Sequence, residues 1–391
     1  MWLIWRILAA LAVIAALGFF LFAPGIVERR QNPVIAHDPW PVSPAAKAMH
    51  ERLIIGDWHA DSLLWGRDLT ERASRGQVDL PRLAEGNVAV QVFTTVTKSP
   101  SGLNYEKNAA DARDDITLLF LGQLRPLRAW LDLTQRALVQ AAALAAAEDR
   151  APDAVKIVRT RADLASVLDR RAGGEKVVGA ILGAEGGHAL SGEIGNLDKL
   201  YDAGFRLIGL THFFDNALGS SLHGEAGAES GLTDFGREVV KKLVEKRMII
   251  DLAHASPAMA REVLDMVDVP VVVSHTGIYS HCQTVRNFPD DLMKAVADKG
   301  GLIGIGFWKE VTCDDGPAGI AGAIVAAIAL VGADHVSLGS DFDGAVTTRF
   351  DVSELAALTQ ALMDRGLDEP AIAKVMGGNM IRFLEAALPD A

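Results

Sequence analysis

Cysteine is nearly missing: 391 residues hold only Cys282 and Cys313. No disulfide framework can hold such a chain together, so its stability has to come from a packed core. The expectation for the pair is two buried free thiols, with a single bridge as the alternative in an oxidising compartment. Aromatics are scarce too, at 6% of residues, which leaves Ala, Gly, Val and Leu to fill closely packed helices and strands. No run of Lys or Arg occurs, and the formal net charge is −12. An acidic chain without a basic stripe repels phosphate backbones, which sets nucleic acid aside as a partner.

Charge is absent altogether from Ile7 to Val27, 21 residues that include ILAALAVIAALGFFLF. A helix of about 20 apolar residues spans a bilayer. The run ends in Phe-Ala-Pro-Gly rather than at a small-residue cleavage site. Residues 1–27 are therefore expected to be an uncleaved transmembrane signal anchor, with a periplasmic or otherwise extracytoplasmic domain behind it. Arg6 precedes the span and Arg29 and Arg30 follow it, so the positive-inside rule is nearly balanced. Residues 28–45, with four prolines and no amphipathic period, read as a linker.

From residue 46 to 391 a rhythm appears. Eight apolar runs alternate with helical stretches: RLIIGDWHAD (52–61), NVAVQVFTTV (87–96), VVGAILGAEGG (177–187), FRLIGLTH (205–212), MIIDLAHAS (248–256), VPVVVSHTG (269–277), GLIGIGF (301–307) and HVSLGSDFDG (335–344). Strands buried on both faces read as continuous apolar runs. Eight such units predict a (β/α)8 TIM barrel. The competitor, a doubly wound open sheet, carries a Gly-rich phosphate loop after its first strand, and none follows Ile55. DDLMKAVADKG predicts a helix ending at Gly300. The insert at 97–176 reads as helical elaboration of one domain.

The chemistry sits where the runs stop. They end in His59 and Asp61, Glu185, His212, His254, His275 and Asp341. Residues two apart on a strand share a face, so His59 and Asp61 can serve one ion. Barrel active sites lie at the C-terminal ends of the strands, and six of the eight runs bring His, Asp or Glu to that rim. Imidazole and carboxylate without thiolate suit zinc, with manganese or cobalt able to substitute. In a two-metal site the ions stand about 3.5–4 Å apart and share a ligand. Glu185, alone on its strand end before Gly186 and Gly187, is the natural bridge.

DWHAD, GAEGGHAL, LTH, DLAHAS, VVSHTGIYS, RNFPDD, GSDFDG and GGNMIRF together resemble the renal (membrane) dipeptidase family, zinc peptidases on amidohydrolase-type barrels. The likeness runs over roughly residues 50–388 in the family's motif order. It implies hydrolysis of dipeptides, including those with a D-residue at the C-terminal position, by two zinc ions per chain. It implies that His59 and Asp61 hold one ion, His254 and His275 the other, and that Glu185 bridges them. His212 would contact the scissile carbonyl, Arg286 the dipeptide's carboxylate, and Asp341 would move the proton. A homodimer is also common in such proteins. FFDNALGSSLHGEAG after His212, and Gly306-Phe307-Trp308, depart from the animal members, while THFFDNALGSS and GLTDFGREVV look more like bacterial ones.

Other residues carry plainer expectations. His188 would orient Glu185, His223 and His281 would be exposed loop histidines, and His335 would be structural. Asp57 would pair with a ligand histidine or orient its loop. Asp343 rivals Asp341, Trp58 and Trp65 would pack the core or wall a pocket, and Arg286 could merely pair with Asp290 or Asp291. Two other functions fit the same residues: a related amidohydrolase acting on N-acyl amino acids, lactams or esters, and a non-catalytic, membrane-anchored metal-binding barrel.

Overall fold

The computed structural model describes residues 1–390. Nine strands, all parallel, form its sheet: β1 Ile55–Ala60, β2 Val88–Val96, β3 Val155–Ile157, β4 Val178–Glu185, β5 Phe205–Gly209, β6 Ile249–Asp251, β7 Val272–Thr276, β8 Leu302–Ile305 and β9 Val336–Leu338. The order β2-β1-β9-β8-β7-β6-β5-β4 closes through β2 pairing with β4, from Val90↔Gly179 to Val96↔Glu185. The result is an eight-stranded barrel, and each expected apolar run supplies one of its strands.

β3 is the ninth strand and lies outside that count. Its three residues pair with Val178, Gly179 and Ala180 at the start of β4, before β5 joins at Leu182. It belongs to the insert, whose other elements are helices, among them Leu133–Arg150 and Arg161–Ala172. The second of these opens with a capping box between Thr160 and Asp163.

Barrel strands are buried along their whole length, which is why they carry no polar alternation. Their partners are amphipathic helices such as Asp290–Asp298. That helix stops where expected: Gly300 takes φ 77°, a left-handed position that glycine occupies without a Cβ clash. In GGNMIRF the last helix presses on the start of β1. A Cβ at Gly377 would lie 2.2 Å from the Ile54 carbonyl oxygen, and Asn379 ties the helix to β9 by donating to the Val336 carbonyl at 2.8 Å.

Two expectations are corrected here. Cys282 and Cys313 are not free thiols but a disulfide, with Cα atoms 5.5 Å apart. They sit in the loops after β7 and β8, neighbours in the barrel, so closure of the barrel brings them together. In the chain-entropy account, cross-linking across 31 residues is worth about 3–4 kcal/mol. The N-terminal helix also runs further than the apolar span, from Trp2 to Gln31. Its most apolar 18-residue window has mean hydropathy 2.5 and none of it is buried. Residues 28–45 are not a free linker: Glu28 is fully buried against the barrel, and Val34 bridges to Thr348.

Candidate metal centre

β1 delivers His59 from its last turn of pleat and Asp61 just beyond its end. Asp57, two residues before His59, accepts from Ser340 N at 2.8 Å and from Ser340 Oγ at 2.5 Å. It therefore straps β1 to the loop after β9, and of its two expected roles it takes the orienting one. From β2, Thr94 Oγ1 donates to Asp61 Oδ1 at 2.5 Å and fixes that carboxylate.

β4 ends at Glu185, and its carboxylate is the hub. Oε1 lies 3.5 Å from His59 Nε2, 3.3 Å from His254 Nε2 and 3.5 Å from His275 Nε2. Oε2 lies 3.3 Å from His212 Nε2 and has no hydrogen-bond partner. Gly186 follows at φ 90°, where an added Cβ would stand 3.2 Å from that of His212.

Histidine tautomers are set from behind. Ser274 Oγ donates to Asp251 Oδ2 at 2.6 Å, so its lone pair faces His275 Nδ1 at 2.8 Å. That places the proton on Nδ1 and leaves the His275 Nε2 lone pair pointing into the site. His212 Nδ1 lies 3.3 Å from the Lys98 carbonyl, with the same consequence for its Nε2. His254, at φ 63°, and Asp341, at φ 61°, occupy left-handed backbone that costs a non-glycine residue of the order of 1–3 kcal/mol. Strain of that kind persists only where surrounding contacts hold it.

Electrostatics divide the cluster. Burial opposes charge on His59, but the Asp61 and Glu185 carboxylates outweigh it and push His59 up to about 10. Burial, with Asp61 nearby, lifts Asp341 to about 8 against the pull of His59. Burial holds His212 down at about 4 and drives His254 and His275 well below the usual histidine range, helped by Arg286.

The donors fit divalent metal. His59, Glu185 and His275 form one trio, Glu185, His212 and His254 a second, and His59, Asp61 and Asp341 a third, each with ligand atoms within 4.8 Å of one another. His254 Nε2 and His275 Nε2 face each other at 2.9 Å, and His254 Nδ1 is buried without a partner. With both lone pairs turned inward, the two nitrogens could share a cation. Nitrogen and carboxylate donors without thiolate suit zinc-like ions.

Arg286 is 1% exposed, and it does not pair with Asp290 or Asp291. Asp291 pairs with Arg261 at 2.6 Å, and Asp290 accepts from Ser280 N at 3.1 Å. Arg286 Nη2 donates to the His275 carbonyl at 2.9 Å, while Nε and Nη1 have no partner. Trp308 lies under the guanidinium, 5.6 Å to its ring centroid. Asp343, the rival to Asp341, is fully engaged: Ser62 Oγ and Gln77 N each donate to it at 2.7 Å, and Arg67 pairs with it.

Two histidine expectations fail. His188 makes no bond to Glu185; the 3-10 turn Gly187–Leu190 directs its ring edge-on to Phe214, 4.7 Å away. His223 is buried, not exposed, because Phe213 stacks on it at 5.0 Å and Nδ1 meets the Tyr105 carbonyl at 2.6 Å. His281 is exposed, and His335 Nδ1 meets the Gly301 carbonyl at 2.9 Å, far from the rim, as expected. Trp58 packs in the core against Phe383, whereas Trp65 both walls the cavity and donates to the Asp343 carbonyl at 2.6 Å.

A cavity of about 400 Å³ opens above this cluster. Of the cluster, Asp61 and His212 line it, together with Trp65, Phe213, Val27 and Gln31.

Residues 44–388 match the membrane dipeptidase family, peptidase family M19. The chain belongs to that family. It is 30% identical over 357 residues to Dipeptidase aclJ of Aspergillus oryzae, covering 85% of this chain and 78% of that one. With Dipeptidase tcpJ of Claviceps purpurea it shares 29% over 316 residues, covering 79% and 69%. Among solved structures, a dipeptidase named AC of the same peptidase family superposes with TM-score 0.72 at 24% identity, covering 87% of this chain and 99% of that one. A metallopeptidase from Rhodobacter sphaeroides, holding a phosphinate mimic of the dipeptide L-Ala-D-Ala, superposes with TM-score 0.70 at 24% identity, covering 86% and 99%. These two likenesses speak for the barrel. Membership and the dipeptidase relatives make the chain a metallo-dipeptidase, a hydrolase of dipeptides.

Proposed function

We propose that the rim cluster is a two-metal dipeptidase site that cleaves dipeptides, those with a C-terminal D-residue among them. The observation that carries this is Glu185: one buried carboxylate within 3.3–3.5 Å of four imidazole nitrogens. His59 and Asp61 would hold one ion, His254 and His275 the other, with Glu185 between them and zinc the best match to the donors. When bound, such a pair supplies Lewis-acid chemistry and a water acidic enough to attack at neutral pH.

The chain's own groups divide the remaining work. Asp341 stands 3.8 Å from His59 at the edge of the cluster, free of other partners, and takes the proton that is later passed to the leaving amine. His212 lines the cavity with its Nε2 turned to the Glu185 carboxylate, placed to meet the scissile carbonyl oxygen. Arg286 presents two unpartnered guanidinium nitrogens, a planar fork suited to the substrate carboxylate. The D-residue reading draws on the ligand of the Rhodobacter sphaeroides protein.

The N-terminal helix is read as a membrane anchor over residues 1–27, with the barrel outside the cytoplasm. The disulfide supports that location, because such bonds persist in oxidising compartments. The test is a panel of L,L and L,D dipeptides beside their N-acyl and lactam counterparts. Preferential cleavage of free dipeptides, both stereochemistries included, is the expected result. A metal-loaded protein that cuts none of them, or prefers uncharged amides, contradicts the reading.

A further inference from the structure

The helix that precedes the family barrel does not stop at its edge. Residues 27–32 lie outside the family match, which begins at residue 44. Within the helix Trp2–Gln31 a single residue is buried, and it is an acid, Glu28. Its carboxylate pairs with the guanidinium groups of both Arg67 and Arg75. Arg67 reaches onward: Nη2 pairs with Asp343, and Nη1 donates to the Val78 carbonyl at 2.6 Å. A continuous carboxylate–guanidinium–carboxylate chain thus runs from the helix to the loop that holds Asp341.

One turn on, Asn32 Oδ1 accepts from Ala345 N at 2.8 Å. The chain then runs alongside that loop, with Thr348 N donating to the Pro33 carbonyl at 3.1 Å and Ile35 N to the Thr348 carbonyl at 2.9 Å. The clamped loop is the strained one: Asp341, Asp343 and Ala345 take φ of 61°, 62° and 62°. Three left-handed non-glycine residues within five positions need outside contacts to hold them, and Glu28 and Asn32 supply such contacts. On a helix, residues four apart share a stripe. Glu28, in the last turn, and Asn32, the residue that ends the helix with non-helical backbone, grip the loop; Val27 and Gln31 share one stripe, and both line the 400 Å³ cavity.

We propose that this last helical turn and the residue that caps it are part of the active site: Glu28 and Asn32 position the Asp341 loop, and Val27 and Gln31 form a wall that selects substrate side chains. The second half rests on the dipeptidase reading; the first does not. The helix is thereby more than a tether.

The test uses the full chain in detergent. In Glu28→Gln, backbone amides of residues 341–348 exchange hydrogen about tenfold faster while those of β2 and β4 are unchanged. The same variant loses about 10–100-fold in kcat with metal content retained and KM nearly constant, the pattern of a positioning residue. Asn32→Ala removes one hydrogen bond and no charge, and carries the same readouts if Glu28→Gln does not fold. Val27→Trp lowers the kcat/KM ratio of bulky to small dipeptides about tenfold. Unchanged exchange and kcat in the folded loop variants overturn the clamp, and an unchanged ratio in Val27→Trp overturns the wall. A wild-type chain that cleaves no dipeptide rejects the dipeptide reading and the wall with it, while hydrogen exchange still decides the clamp.

Discussion

The two sides of the metal centre use the same residue type in opposite ways. On one side His59 stands among Asp61, Glu185 and Asp341, and it is pushed up to about 10 although burial opposes its charge. On the other, His212 is held at about 4, and His254 and His275 lie well below the ordinary range, because burial dominates there and is joined by the positive charges of His59, for His212 and His275, and of Arg286. The rings of His59 and His275 are only 3.9 Å apart between centroids. Company, not residue type, decides the charge. The carboxylate side calls for a cation; the histidine side offers neutral lone pairs and keeps its positive charge on Arg286, available to an anionic substrate group. The Glu185 carboxylate reaches both, with His59 on one side and His212, His254 and His275 on the other.

The comparison breaks first at that shared residue. Glu185→Gln is expected to cut dipeptide hydrolysis at least about 1000-fold, roughly 4 kcal/mol of barrier, and to leave the chain with fewer bound ions than wild type. Kinetics beside elemental analysis reads both, and retention of full metal content with activity would show that the sides do not share it. On the carboxylate side, Asp341→Asn should lower kcat by about 100–10,000-fold, the usual span of general acid–base catalysis, with metal still held. On the histidine side, Arg286→Met should raise KM for a dipeptide by about 10–100-fold, as expected for a lost charged hydrogen bond. An uncharged amide should barely respond; equal losses for both substrates would remove Arg286 from carboxylate recognition.

The smallest effect isolates burial from metal chemistry. His50 lies away from the rim, with Nδ1 2.9 Å from Thr359 Oγ1 and Nε2 3.1 Å from the Gly86 carbonyl. Burial lowers its pKa to about 4. The unfolded chain titrates this group near 6.5, so between those values unfolding takes up a proton. Its stabilising contribution is therefore complete above about pH 6.5 and is lost as pH falls toward about 4. Thermal melts across that window should show His50→Gln losing less melting temperature on acidification than wild type. Parallel curves would remove His50 from the acid response.

What could be read beforehand follows the same physics. Strands buried on both faces are continuous apolar runs, and a barrel puts its chemistry at their ends. The eight strands and the seven rim residues from His59 to Asp341 were therefore visible in order. β3 was not, since three residues of VKI make no pattern. Thr94 and Ser274, which fix Asp61 and His275, sit inside runs where a hydroxyl looks like any β-former; only the closed barrel shows what they face. The disulfide stands only as the alternative in the sequence, because its cysteines are 31 residues apart and meet only when β7 and β8 become neighbours. Glu28 looked like the start of a linker for the same reason: its partner Arg75 is 47 residues away. His188 and His223 were misjudged because loop histidines are read by their chain position, while the aromatic faces of Phe213 and Phe214 decide where they lie.

The most direct test of the central claim is a zinc titration of the chelated full-length chain, with dipeptide hydrolysis followed at every step. The account predicts no activity without metal and a rate that saturates near two equivalents. Saturation at one equivalent, or full loading without hydrolysis, would contradict it.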